Sequence, residues 1–584
     1  MNVCMEYYQL VSLHLFYHIA LVFLILLYTK VDHQMLYVLL ALNFLIAPGE
    51  AAKITTQYGT IEGVVFRTRS GKEVLAYMSM PYAEPPVGKL RFQPPVPVKR
   101  WPRTLNGSRI HGKCPQRAIY TSSVAKEGDE DCLYINVYTP LNVRESLPVM
   151  VYIHGGGYRT GCGSYNCFAP NVILEKDVVM VAFNYRLGPL GFLSTGDGVV
   201  PGNNGLKDQN LALRWVKDNI RDFGGDPSRI TLFGQSAGAA SVHLHILSAK
   251  SQGLFHSAIL QSGSALTAWG FDRNQNVAYT KTVAKSLKCP TTDNRALVDC
   301  LMHKNPHQIV EADINLRKWS IDPTVTFKPT IEEDTNDGFI TQPPSDLIRS
   351  GNFSKVPLII GMNTEEGSMR TIGIYRDPFV TKYFNDHFEQ VAPVSLGIEN
   401  LYSNLGSVVK RIRDFYFKSS PINHHARLNV IDMYSDARFN SGIDETVRLH
   451  KKHADSEVFL YLFGHRGAGS YSEMQGEMST NYGVNHCDEL FYLFPYMETH
   501  LPFKKPDAFD NRISKVFTNL WTNFAATSKP TLTKDSVPVW EPVATDRLEF
   551  YFIGQSSHMG TNLLMKRLQF WRKLNKEFRK PDYD

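Results

Sequence analysis

Between residues 148 and 463 the chain is punctuated by short, continuous apolar runs, each closed by glycine or another turn residue. Pro148–Ile153 (PVMVYI) runs into His154 and three glycines, and Val178–Asn184 (VVMVAFN) follows. Ile230–Phe233 ends at Gly234, His256–Gln261 at Ser262-Gly263, Val356–Ile360 at Gly361, and Val458–Phe463 at Gly464. Apolar runs of this length without alternation belong to strands covered on both faces. Between them the apolar positions take helical spacing, in Leu211–Asp222 (LALRWVKDNIRD) and Gly238–Leu247. Strands alternating with helices predict an α/β fold with a mostly parallel central sheet flanked by helices. Its functional groups are expected just beyond the carboxyl ends of strands, where the glycine-bearing turns stand. Near the C-terminus Leu564, Leu568, Trp571, Leu574 and Phe578 recur at helical spacing, which predicts a packed helix with a solvated basic face.

The first 50 residues follow another pattern. Leu10–Tyr28 is apolar enough to span a membrane, although His14 and His18 sit inside it. After Lys30, Asp32 and His33 comes Met35–Ala47, which has the length of a signal-peptide core. PGEAA follows, and Ala47, Gly49 and Ala51 offer small-residue cleavage positions. The expected organisation is a leader over 1–50, cut between 47 and 52 and with Met35 as an alternative start, followed by one domain over 51–584. Secretion is favoured over a membrane tether by an N-terminal signal anchor, because the second segment is too short for a second span. No segment near the C-terminus is apolar enough for a membrane span or a lipid-anchor tail, so no stable span is expected in the mature chain.

The composition, 43% hydrophobic and 20% charged, is that of an ordinary globular protein, and a net charge of +6 over 584 residues does not imply a nucleic-acid partner. Eight cysteines in a secreted chain suggest disulfides. Cys4 leaves with the leader. Cys114 and Cys132 bracket 17 residues, and Cys289 and Cys300 bracket ten. Cys162, Cys167 and Cys487 remain, so any pairing among them leaves one odd thiol. The sequons Asn106-Gly-Ser and Asn352-Phe-Ser are surface glycosylation sites in a secreted protein.

Chemistry enters at Gly234-Gln-Ser236-Ala-Gly238. G-x-S-x-G after a strand and before a helix is the signature of a nucleophile elbow, in which a strained turn projects a serine hydroxyl above the sheet. A serine is a poor nucleophile without a base, so an elbow of this kind requires an acid and a histidine later in the chain, and donors for an oxyanion. The donors are expected in the His154-Gly155-Gly156-Gly157 run and at Ala237 just after the serine. The acid is expected in Gly361-Met-Asn-Thr-Glu-Glu-Gly367, where two adjacent carboxylates compete: one faces the histidine and the other is solvated. The histidine is His486 in Gly483-Val-Asn-His-Cys-Asp-Glu489, placed ahead of His465, His450 and His453 by chain order and by its glycine-bearing loop. His486, Cys487 and Asp488 are adjacent and cannot easily turn toward one ion, and no HExxH or CxxC occurs, so no metal is expected.

These residues together resemble the type-B carboxylesterase and cholinesterase family of α/β-hydrolases, over roughly Lys53–Phe578. The matching pieces include MPYAEPPVGKLRF (Met80–Phe92), EDCLYINVYTP (Glu130–Pro140), NYRLGPLGFL (Asn184–Leu193), GNNGLKDQNLALRWVKDNI (Gly202–Ile220), GMNTEEG and GVNHCDELFYLF. The resemblance implies an α/β-hydrolase fold and an acyl-enzyme ester hydrolase without cofactor or metal, acting on a small-molecule ester. It places the nucleophile on Ser236, the base on His486, the acid on Glu366, the residue just before the glycine, and the oxyanion donors on Gly156, Gly157 and Ala237. It also implies disulfides Cys114–Cys132 and Cys289–Cys300, and structural ion pairs Arg91–Glu130 and Arg186–Asp208. GQSAG with Arg91-Phe92, Asp208-Gln209 and GxxHxxE is most like insect juvenile hormone esterases, although other insect esterases share GQSAG. Between Cys114 and Cys132 no tryptophan occurs, where cholinesterases place one for a cationic alcohol, and this disfavours a cholinesterase. The alternatives are a broad-specificity detoxifying or odorant-degrading esterase, a lipase, and, in another class, a non-catalytic cholinesterase-like adhesion or binding protein. The substrate's identity, the pocket-lining residues and the oligomeric state are not readable from the chain.

Overall fold

The computed structural model describes residues 52–580 except 118–125, 272–274, 478, 495–504 and 532–537. The expected leader, most of its cleavage positions and Cys4 lie outside the described residues. The apolar runs become strands of a single large sheet. In chain order these are β1 (Val64–Arg67), β2 (Glu73–Pro81), β3 (Tyr134–Pro140), β4 (Leu147–Ile153), β5 (Val179–Phe183) and β6 (Gly225–Gln235), followed by β7 (Ser257–Gln261), β8 (Leu358–Asn363), β9 (Val458–Phe463), β10 (Phe550–Ile553) and β11 (His558–Gly560). Their order across the sheet is β11-β10-β9-β8-β7-β6-β4-β5-β3-β2-β1. From β10 to β5 every neighbouring pair is parallel, and β5, β7, β8 and β9 are buried along their whole length, as continuous apolar runs require. Both edges are antiparallel: β3 against β5 and β2, β2 against β1, and β10 against β11.

The strand order reverses at β4. The chain leaves β4 for β5 on one side and then crosses to β6 on the other, which pairs in parallel with both β4 and β7. In open α/β sheets the crevice at such a switch point, outside the strands' carboxyl ends, is where ligands bind.

Helices cover both faces. Helix α1 (Asn204–Asn219) carries the predicted run from Leu211, whose last residues, 220–222, fall in a 3-10 turn at Ile220–Phe223, and α2 (Ala237–Leu247) leaves β6 with every residue buried. Helices α3 (Arg427–Ser435) and α4 (Ser441–His453) are joined by a π-helical turn at Asp436–Asn440. Helix α5 (Ala508–Thr527) starts at an Asp507/Asp510 capping box, and its Trp521 donates to Gln261 Oε1 at the end of β7 at 3.1 Å. Helix α6 (Met565–Phe578) buries Leu568, Trp571 and Leu574 as predicted. Its basic side is less free than expected. Arg567 pairs with Asp432 and Asp436, Arg572 with Asp444, and Arg579, just beyond the helix, with Glu445, so acids of α3, α4 and the π turn hold part of it. Among the described residues no helix is long and apolar enough to cross a membrane.

Three cysteine pairs stand at disulfide distance, with Cα separations of 5.0 Å for Cys114–Cys132, 5.7 Å for Cys289–Cys300 and 6.0 Å for Cys162–Cys167, and the odd thiol is the buried Cys487. Asn106 and Asn352 are both exposed. The two expected ion pairs are buried and bidentate. Arg91 grips Glu130 and donates to the carbonyls of Leu301, Met302 and Lys304. Arg186 grips Asp208 of α1 at 2.8 and 2.6 Å, tying the segment after β5 to the helix under the sheet. Removing one partner of such a pair strands an uncompensated charge. Arg186→Met is expected to lower stability by about 3–5 kcal/mol, read as a fall in the urea midpoint with the far-ultraviolet spectrum retained in buffer.

Candidate active site

The elbow is built by contact between backbones. Ser236 takes φ 59° and ψ −123°, between β6 and the first turn of α2. Few non-glycine residues adopt a positive φ, and such strain persists only where the surroundings impose it. Here the Ser236 N–H donates to Gln261 O at 2.8 Å and its carbonyl accepts from Ala240 at 3.0 Å, so strand β7 and helix α2 both hold the turn. A Cβ on Gly238 would lie 2.0 Å from Ile153 O, so only glycine lets α2 start this close to the end of β4.

That approach brings the two expected sources of donors together. Gly156 has φ 104° and Gly157 φ 61°, and a Cβ on Gly156 would meet Thr160 O at 2.1 Å. The N–H groups of Gly156, Gly157 and Ala237 donate to no described residue. His154, ahead of them, stacks on Tyr185 with ring centroids 4.4 Å apart, and burial pushes its imidazole down to about 4. It is therefore neutral and structural.

The histidine and the acid meet from two other strand ends. His486 Nδ1 lies 2.6 Å from Glu366 Oε2, and both residues are buried. Glu366 follows β8 and accepts Asn363 N–H at 2.7 Å on its other oxygen, which turns one carboxylate oxygen toward the ring. Of the two adjacent carboxylates, Glu366 is thus the one that reaches the histidine. Glu365, expected to be solvated, is half-buried and accepts from Thr364 Oγ1 at 2.5 Å and from Val484 N at 2.7 Å, clamping the loop that carries His486. His465 has a carboxylate of its own, Asp510 at 2.7 Å, but does not line the cavity that holds Ser236.

Several partners of this site were not legible in the chain. Asp488 accepts from Ser470 Oγ, Tyr471 N and Asn485 N, fixing the turn beneath His486, and Cys487 sits there at φ 76°. Burial raises Asp488 to about 7 against those donors. Gln235 Nε2 lies 3.2 Å from His486 Nε2 and, as an amide N–H, donates to that ring nitrogen. Phe439, from the π turn, packs 4.6 Å from the His486 ring. Only the two-residue spacing of Asp488 from His486 hinted at any of these contacts.

Ser236, His486, Gly155, Gly156 and Gly157 line one cavity of about 300 Å³. Its remaining walls are mostly apolar, among them Phe168, Trp269, Val325, Met369, Phe439, Leu490 and Phe494, with the Cys162–Cys167 pair beside the glycine run. Among the described residues no group of three His, Cys, Asp or Glu side chains is placed to hold a metal ion.

The carboxylesterase family model matches residues 50–571. The chain belongs to the carboxylesterase family. It is 35% identical to venom carboxylesterase-6 of Apis mellifera over 92% of this chain and 97% of that one. It is 36% identical to juvenile hormone esterase of Tribolium castaneum, over 82% and 84% of the two chains, and 34% identical to esterase FE4 of Myzus persicae, over 85% and 88%. This carboxylesterase is therefore an α/β-hydrolase that hydrolyses esters.

Behind the His486–Glu366 pair lies a second buried carboxylate. Glu489 accepts from Asn363 Nδ2 at 2.7 Å and from Gln261 Nε2 at 3.3 Å, and burial, then the Glu366 charge, raises it to about 7 from an ordinary 4.5. Between those values the folded protein keeps a proton that the unfolded chain has released. The stability drawn from this group is complete below pH 4.5 and is lost as the pH rises through about 7. Glu489→Gln is expected to flatten the fall of the denaturation midpoint between pH 5 and pH 7, measured as a urea series across that range.

Proposed function

We propose that this carboxylesterase is a secreted serine esterase that works through an acyl-enzyme with a Ser236–Glu366–His486 triad. The observation that carries the reading is the buried 2.6 Å contact of His486 with Glu366, inside the wall of the cavity that also holds the strained Ser236. With its Nδ1–H donated to Glu366, the ring presents Nε2 as acceptor, the tautomer that can take the serine proton. Ser236 Oγ attacks the ester carbonyl while His486 removes its proton. The N–H groups of Gly156, Gly157 and Ala237 receive the oxyanion. His486 then protonates the departing alkoxide, and water repeats the sequence on the acyl-enzyme. In the resting structure Nε2 accepts from Gln235, so that amide must yield Nε2 to Ser236 when the substrate binds.

The leader pattern, the three cysteine pairs and the exposed sequons at Asn106 and Asn352 support export of residues 51–584 as one domain after cleavage between 47 and 52. The mostly apolar cavity fits an ester with a long hydrophobic acyl part, and the resemblance to juvenile hormone esterase favours a juvenile-hormone-like methyl ester over a short acyl or choline ester. A broad-specificity esterase is the second reading, since a relative named only as an esterase, esterase FE4, is 34% identical.

Ser236→Ala is expected to cut turnover by ~10³–10⁶ while the urea midpoint stays put, and to abolish labelling by a fluorophosphonate probe. Full turnover in a folded Ser236→Ala protein would exclude the triad. The substrate is read from kcat/KM for a juvenile-hormone-like methyl ester, short acyl esters and choline esters on the purified protein. The first is expected to lead, and equal values across the three would favour the broad esterase.

A further inference from the structure

Among the charged side chains that line the catalytic cavity, Lys113 and Glu127 are partly exposed and pair with each other, whereas Arg438 is buried. Arg438, in the π turn just before Phe439, is 7% exposed and borders the same cavity as Ser236 and His486. Its guanidinium donates to Ser395 O at 2.8 Å and to Thr324 Oγ1 at 2.5 Å, both neutral acceptors. Among the described residues it makes no ion pair, although acids are close by in the fold. Each of those acids is taken by another arginine. Asp322 is held by Arg370, at 2.8 Å through Nε and 2.7 Å through Nη2, and Asp313 by Arg159 at 2.6 Å. Asp436, two residues before Arg438, is held by Arg567 at 2.6 and 2.7 Å.

These three acids are therefore taken by other arginines, and the guanidinium of Arg438 borders the cavity without a carboxylate among the described residues. Burying an unpaired charge is unfavourable, and a guanidinium offers five N–H groups in a flat fork, more than two neutral oxygens use. A substrate oxygen can complete that set. A cationic alcohol would meet like charge here, which accords with the lack of tryptophan between Cys114 and Cys132.

The geometry points to Arg438 as a specificity-determining residue that binds an acceptor oxygen on the substrate, a carbonyl or carboxylate apart from the ester undergoing hydrolysis. This rests on Ser236 being the nucleophile in that cavity and deepens that reading, for it gives the substrate class as long-chain esters with a second oxygen function. Neither protein partner of Arg438 belongs to the triad, so the contact is independent of the chemical step.

The test compares three methyl esters of matched chain length: an unsubstituted fatty acid ester, a keto-acid ester, and the half-ester of a dicarboxylic acid. Wild type is expected to favour at least one oxygen-bearing ester in kcat/KM. Arg438→Met should leave the unsubstituted ester within about threefold and cut the favoured ester by ~10–100-fold, the range for one hydrogen bond to a charged group. Whether the keto ester or the half-ester falls further tells a neutral acceptor from an anionic one. Arg438→Lys keeps the charge without the fork and should restore part of the preference. It also serves as the folded comparison if the methionine variant does not accumulate. An equal loss on all three esters, or a preference unchanged in both variants, overturns the assignment and leaves Arg438 as a brace between Thr324 and Ser395. Ser236→Ala runs alongside. If it hydrolyses the esters at the wild-type rate, the catalytic reading itself fails; if it is inactive while the Arg438 preference is flat, only the present inference fails.

Discussion

Helix α2 begins against the end of strand β4, and the rest of the site depends on that approach. It is possible because Gly238 has no side chain to strike Ile153 O, and it forces Ser236 into a backbone region that L-residues avoid. The same approach sets the N–H of Ala237 beside the glycine run that follows β4. The Cα–Cβ bond of Ser236 and the prospective oxyanion donors are thereby placed by backbone atoms alone. Backbone placement of this kind costs no reorganisation when charge develops, which is where electrostatic catalysis draws most of its strength.

The histidine arrives differently, on a loop after β9, and loops need anchors. Four carboxylates supply them. Glu366 holds the ring, Glu365 holds the Val484 N–H, Asp488 takes the N–H groups of Asn485 and Tyr471, and Glu489 accepts from Asn363 and Gln261 at the ends of β8 and β7. Burial raises the proton affinity of Asp488 and Glu489, and for Glu489 the Glu366 charge adds to it, which is the electrostatic cost of anchoring the segment with buried carboxylates. Arginine pairs do comparable work further out, at Arg91–Glu130 and Arg186–Asp208, where each guanidinium also satisfies backbone carbonyls. Arg438 stands apart because it pairs with no carboxylate among the described residues and borders the cavity.

Family membership and site geometry bear on different questions. The match over residues 50–571 makes this an ester hydrolase. It does not say which ester, because relatives named for a hormone and for general esterase activity lie at nearly the same identity. Pocket walls are drawn from segments far apart in the chain, from Gly155 to Phe494, and small changes there alter substrate choice while the core is untouched.

The chain alone determined the strands around β4–β9, the parallel character of the sheet's middle and the glycine-bounded turn at Ser236. These are local statements: continuous apolar runs, a 3.6-residue period, and glycines at fixed offsets, all written within about ten residues. The antiparallel edges, the capped helix α5, the pairing of Cys162 with Cys167 and the isolation of Cys487 were decided only in three dimensions. So were the partner of each carboxylate at 365, 366, 488 and 489, the Gln235 contact with His486, and the unmatched charge at Arg438. Each depends on which strand ends lie side by side and on which acid reaches which base first, and no short window of sequence carries that competition.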